Sequence, residues 1–137
     1  MQPGIPVSTN QDPRTIYERL GGDEPFWRIA RAFYGRVGVD EHPSFRGMFP
    51  ADLTEAIRNQ AEFLIQFFGG PTTYSDRKGH PRLRLRHMNF AIDQAARDRW
   101  LSYMLASLEE TGIPEPEKKE MTAYFARTSD FLINREA

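Results

Sequence analysis

Four stretches of this chain repeat apolar residues at three- and four-residue spacing, and glycine or proline closes the first three. That period belongs to helices burying one face on a shared core. Thr15 and Glu18 form a T-x-x-E capping box opening a short helix that Gly21-Gly22 ends. Asp23 can cap the next helix, with Pro25 in its first turn. Its stripe is Phe26, Ile29, Ala30, Phe33, Tyr34 and Val37, and Gly38 stops it. Pro43, Gly47 and Pro50 leave room for at most one short helical turn between residues 40 and 50. A clearer helix runs from about Asp52 to Phe68, with Leu53, Ala56, Ile57, Gln60, Leu64, Phe67 and Phe68 on one side. Gln60 is a polar interruption in that stripe, and Gly69-Gly70-Pro71 ends it.

Residues 71–85 read as a long loop, a feature that compact domains often keep for function. Residues 82–86, RLRLR, alternate as a strand would, but the chain offers no partner strand, so a sheet is rejected. A helix from about Asp93 to Glu110 carries Ala96, Trp100, Tyr103, Met104, Ser107 and Leu108 on one side; a last one, from about Glu115 to Asn134, turns Met121, Tyr124, Phe125, Thr128, Phe131 and Leu132 inward. The expectation is an all-α fold of five or so helices. Residues 1–13, rich in proline and polar groups, read as a flexible N-terminal tail, and 14–137 as one domain.

Composition narrows the chemistry. There is no cysteine, which excludes disulfides, thiolate catalysis and Cys-ligated zinc or iron–sulfur centres. A net charge of −1 argues against a generic nucleic-acid binder. No apolar run approaches the ~18 residues of a membrane span, and no signal pattern opens the chain, so a cytoplasmic location is expected. Ten Phe, five Tyr and two Trp are more rings than a small core usually needs, and leave room for a flat guest among them.

Three histidines are present. His42 and His80 each precede proline and are expected in loops. His87 follows the basic loop and precedes Met88, Asn89 and Phe90, where a helical turn can start. Apolar groups beside positive charge suit an axial ligand to a flat, apolar, dianionic cofactor, and haem meets that description. The cluster Arg77, Lys78, Arg82, Arg84 and Arg86 can meet its propionates; the plainer reading of that cluster is a solvated loop. Taken singly, Tyr34 and Trp100 read as core packing and Gln60 as a buried amide bonded to backbone.

Together, Tyr34 in RAFYGRV, Phe49 in MFPADL, Trp100 in RDRWLSYM and the run EFLIQFFGGPTTYSDRKGHPRLRLRH make the chain resemble the group II truncated haemoglobins over residues 15 to 134. The resemblance implies a truncated globin, a two-over-two α-helical sandwich around one haem b. It implies His87 as proximal iron ligand, Tyr34, Gln60 and Trp100 as distal groups, and Phe49 as the ring-stacking residue. Phe63, Leu64 and Phe67 would line the porphyrin, Tyr74, Arg84 and Arg86 would meet the propionates, and Trp100 would also border the cofactor. Ala56 stands where larger globins often have a distal histidine.

Tyr34, Gln60 and Trp100 supply O–H, amide N–H and indole N–H donors. Aimed at a ligand that takes on negative charge, they would hold dioxygen tightly and favour it over carbon monoxide. Nitric oxide dioxygenation or peroxide chemistry would need a separate reductase, because no nucleotide-binding glycine motif is present. The expected ligands are therefore O2, NO, CO or peroxide. Oligomeric state is not legible, though homodimers are common among small globins. The alternative is a cofactor-free helical interaction module using the basic loop, against which the near-zero charge and the three inward polar groups weigh. A carboxylate-bridged di-iron bundle is discarded, since no histidine has Glu three residues before it.

Overall fold

A computed structural model describes residues 12–80 and 92–131 of the chain. Seven helices and no strand are present among them: α1 (Ile16–Arg19), α2 (Glu24–Gly38), α3 (Pro43–Arg46), α4 (Thr54–Phe67), α5 (Thr73–Lys78), α6 (Gln94–Glu110) and α7 (Glu115–Phe131). The helix α2 packs on α4 and on α6, α6 packs on α7, and α5 packs on α4. Two helix pairs, α2 with α4 and α6 with α7, thus make a two-over-two sandwich.

Local chemistry sets the ends of these elements. The capping box is formed, with the Glu18 N–H donating to Thr15 Oγ1 at 3.1 Å and the Thr15 N–H to Glu18 Oε1 at 2.9 Å. Asp23 precedes α2 but makes no side-chain cap. Its carboxylate instead accepts from the Tyr17 hydroxyl at 2.6 Å, tying α1 to the start of α2. Asp93 does cap α6, accepting from the Ala96 N–H at 2.8 Å.

The core is an aromatic and aliphatic cluster. Phe26, Ile29, Phe33 and Val37 of α2 meet Leu64 and Ile65 of α4, Met104 and Leu108 of α6, and Met121 and Phe125 of α7. The double glycine after α4 is a place of close approach. Gly69 has φ +100°, and a Cβ there would lie 2.4 Å from Thr15 Cβ. A Cβ on Gly70 would lie 2.7 Å from Tyr17 Cδ1 and 2.8 Å from Ile65 Cγ2. The Tyr17 N–H donates to the Phe68 carbonyl at 2.9 Å, so α1 is laid directly across this turn.

The segment read as a structureless loop contains α5. Its residues, TYSDRK, show no apolar period that could announce a helix. Tertiary polar contacts hold it instead. The Ser75 N–H donates to Gln66 Oε1 at 2.9 Å, and Gln66 Nε2 donates to Ser75 Oγ at 2.6 Å. Arg77 reaches back to Glu62 Oε1 at 2.7 Å, Asn59 Oδ1 at 2.8 Å and Glu55 Oε1 at 3.1 Å, all on α4. Gly79, at φ +79°, follows α5. No helix among the described residues is long and apolar enough to cross a membrane.

Candidate functional site

The space between the helix pairs is not filled by side chains. A cavity of about 390 Å³ lies there, within the ~300–1,000 Å³ range of small-molecule sites. Tyr34 enters its lining from α2, Met48 and Phe49 from the segment after α3, and Ala56, Gln60, Phe63 and Leu64 from α4. Tyr74 and Lys78 come from α5, Ala96, Trp100 and Met104 from α6, and Tyr124, Phe125 and Thr128 from α7.

Helical spacing explains how α4 contributes. Ala56, Gln60 and Phe63 lie four and three residues apart and share one face, so the polar interruption at Gln60 turns into the cavity. Its Oε1 is buried and has no hydrogen-bond partner. Leaving such an atom unpaired costs ~1–3 kcal/mol, so it marks a place prepared for something polar.

Tyr34 and Trp100 also line the cavity, and neither side chain has a hydrogen bond among the described residues. Tyr34 is held on edge by Phe33 at 4.9 Å and Phe49 at 5.9 Å between ring centroids. Trp100 contacts Phe33 at 5.5 Å and Phe125 at 5.9 Å. Burial pushes the Tyr34 phenol well above its ordinary value of 10.0, so it stays a protonated donor. Tyr124, on the opposite wall, is raised to about 12, chiefly by desolvation.

Phe63 stands against Tyr74 at 5.6 Å and Phe67 at 6.0 Å. Phe67 itself sits one layer behind the lining, its ring 4.1 Å from that of Tyr124. Of the sequence-selected residues, Tyr34, Phe49, Gln60, Phe63, Leu64, Tyr74 and Trp100 line this one cavity, as does Ala56. His87, Arg84 and Arg86 lie outside the described residues, as does Arg82. Arg77, expected as a candidate anion contact, is committed to Glu62, Glu55 and Asn59. Lys78 is the described member of that cluster that borders the cavity.

One arrangement was not anticipated from the sequence. Asp40, just after α2, accepts hydrogen bonds from the Tyr103 hydroxyl, from Arg99 Nη1 at 3.0 Å and from the His42 N–H at 2.7 Å. Desolvation raises the Asp40 carboxyl, but these donors outweigh it and hold the group below its ordinary value. Tyr103 and Arg99 both also touch Phe45, so the cluster ties α6 to α3. The signal available was the i, i+3 spacing of Trp100 and Tyr103, but nothing in the sequence pairs Tyr103 with a residue 63 positions away.

Comparison with known proteins bears on the whole arrangement. The family model described as bacterial-like globin matches residues 15–134. The chain is 35% identical over 119 residues to the group 2 truncated hemoglobin YjbI of Bacillus subtilis, covering 87% of this chain and 88% of that protein. It superposes with a TM-score of 0.85 on the hemoglobin of the thermophilic phototroph Chloroflexus aurantiacus, at 50% identity, covering 89% of this chain and 99% of the other. A TM-score of 0.82 relates it to the truncated oxygen-avid haemoglobin of Bacillus subtilis, at 35% identity over 88% of this chain and 100% of that one.

Proposed function

Since the chain belongs to the bacterial-like globin family, among the group II truncated haemoglobins, we propose that it binds haem b in the inter-helix cavity and holds dioxygen there tightly through Tyr34, Gln60 and Trp100. The observation carrying this reading is the convergence of three polar side chains, Tyr34, Gln60 and Trp100, on one apolar cavity. An apolar core with nothing to bind would not leave such groups unpaired.

The residues present suit haem. Phe49, Phe63, Leu64 and Met104 offer an apolar slot, and Tyr74 and Lys78 offer polar groups at its border. In this reading His87 would hold the iron through its imidazole and Arg84 and Arg86 would meet the propionates, assignments that rest on the sequence motif. Phe67 backs the slot through Tyr124 and Phe63. When bound, haem supplies an iron that takes diatomic ligands and exchanges single electrons.

The chain's own part is electrostatic. The Tyr34 hydroxyl, the Gln60 amide N–H and the Trp100 indole N–H border the cavity and would donate to a ligand that draws negative charge. The small Ala56 adds little bulk to the α4 side of the cavity lining. Support for tight oxygen binding comes from the relative described as oxygen-avid. The same donors can serve nitric oxide dioxygenation or peroxide reduction, with electrons from an external reductase, and carbon monoxide, drawing less charge, gains less from them. We further propose that the protein works in the cytoplasm.

The test is stopped-flow measurement of oxygen dissociation from haem-loaded protein. Tyr34→Phe and Trp100→Phe should each release oxygen several-fold faster or more. Unchanged rates in both would remove the donors from the account. His87→Gly tests the proximal assignment separately, since it should lose haem or change the ferrous spectrum.

A further inference from the structure

Peroxide or nitric oxide chemistry in the cavity would need electrons brought from outside. Tyr103 follows Trp100 by one helical turn on α6, placing the two Cβ atoms ~5–6 Å apart. Trp100 lines the cavity, whereas Tyr103 lies outside that lining, partly buried and partly open to solvent. The Tyr103 hydroxyl donates to Asp40, whose side chain is fully shielded from solvent beneath Arg99 and Tyr103. Oxidising a phenol makes it a strong acid, so an electron leaves readily only where a base can take the proton. Tyr103 has that base. Tyr34 does not: its hydroxyl has no hydrogen bond among the described residues. Tyr17 also donates to a carboxylate, Asp23, at 2.6 Å, but it packs against Phe26, away from the cavity lining.

We propose that Tyr103, with Asp40 as its proton acceptor, is the port through which a small phenolic reductant delivers electrons by way of Trp100 to an oxidant in the cavity. This rests on the haem reading above. In the step, the tryptophan radical cation of Trp100 takes one electron from the Tyr103 ring. The Tyr103 O–H bond breaks, its proton passes to the Asp40 carboxylate, and a neutral tyrosyl radical remains. A phenol at the surface then returns one hydrogen atom to the tyrosyl oxygen, becoming a phenoxyl radical, and Asp40 releases its proton. Two such cycles supply the two electrons and two protons that turn hydrogen peroxide into two waters.

The experiment is to mix haem-loaded, full-length ferric protein with hydrogen peroxide, freeze it within seconds, and record electron paramagnetic resonance. A parallel sample is spin-trapped and mapped by mass spectrometry. A tyrosyl signal is expected, with the trap on the peptide carrying Tyr103, and added guaiacol should quench it. Tyr103→Phe, which keeps a ring against Phe45, should abolish that signal. Asp40→Asn should weaken it several-fold at equal haem content, and Tyr17→Phe should leave it unchanged. Should Asp40→Asn fail to fold, Tyr103→Phe decides the matter alone. An undiminished signal in Tyr103→Phe, a full signal in folded Asp40→Asn, or no signal from wild-type protein that has consumed peroxide would each overturn the port while leaving the haem reading intact. A chain that takes up no haem overturns both.

Discussion

Gln60 and Tyr34 each leave a readable mark on the protein. Gln60 keeps a buried oxygen unpaired, a cost borne by the folded state. Gln60→Leu removes that cost, so the haem-free variant should unfold at the same or higher denaturant concentration, while the haem-loaded variant should lose oxygen faster. Stability and ligand retention moving in opposite directions would separate a functional amide from a packing one. For the donors, ~1–2 kcal/mol each corresponds to about tenfold in affinity. Tyr34 also predicts a pH dependence. Its phenol is raised above 10.0 by desolvation, so it remains a donor at pH values where an exposed tyrosine ionises. The oxygen dissociation rate should therefore stay flat through about pH 10 and should not rise there as a half-ionised donor would require. A rise centred on that pH would place the phenol in water.

At the scale of elements, α1 and the turn after α4 fix each other. Gly70→Ala would drive a methyl into Tyr17 and Ile65 and should cost about 1–3 kcal/mol in denaturant unfolding, as overpacking does. The other end of α1 carries Arg19, paired with Glu120 at 3.0 Å and Glu117 at 3.7 Å, all nearly buried on the α7 side. Arg19→Ala would take the cation away from two nearly buried carboxylates, with an expected loss of about 3–5 kcal/mol. A loss below about 1 kcal/mol would show that water reaches the pair. The helices that bury apolar stripes were legible to within a residue or two, because α2, α4 and α6 announce themselves by period and by Gly or Pro stops. The helix α5 was not, because Gln66, Glu62 and Asn59 hold it through polar contacts that leave no period in its own sequence. Asp23 misled for a related reason: a capping residue has no preference visible in sequence between its own helix and a nearby tyrosine. The cavity lining was legible largely through Gln60, a polar residue in an apolar stripe, and through the motifs around Tyr34 and Trp100. Asp40 and Tyr103 meet only in three dimensions.

For the whole molecule, the aromatic excess and the cavity are one fact. Rings from α2, α4, α6 and α7 surround space they do not fill, so the haem-free chain forfeits contacts that a flat guest would restore. Binding therefore adds to folding stability by mass action, about 4 kcal/mol when free haem exceeds its dissociation constant a thousandfold. The most direct measurement is a haem titration of the purified chain, followed by Soret absorbance together with tryptophan fluorescence. The account predicts saturation at one haem per chain, with Trp100 emission quenched and thermal unfolding raised in step. A shallow, unsaturable absorbance change that leaves emission and unfolding temperature where they began would contradict it.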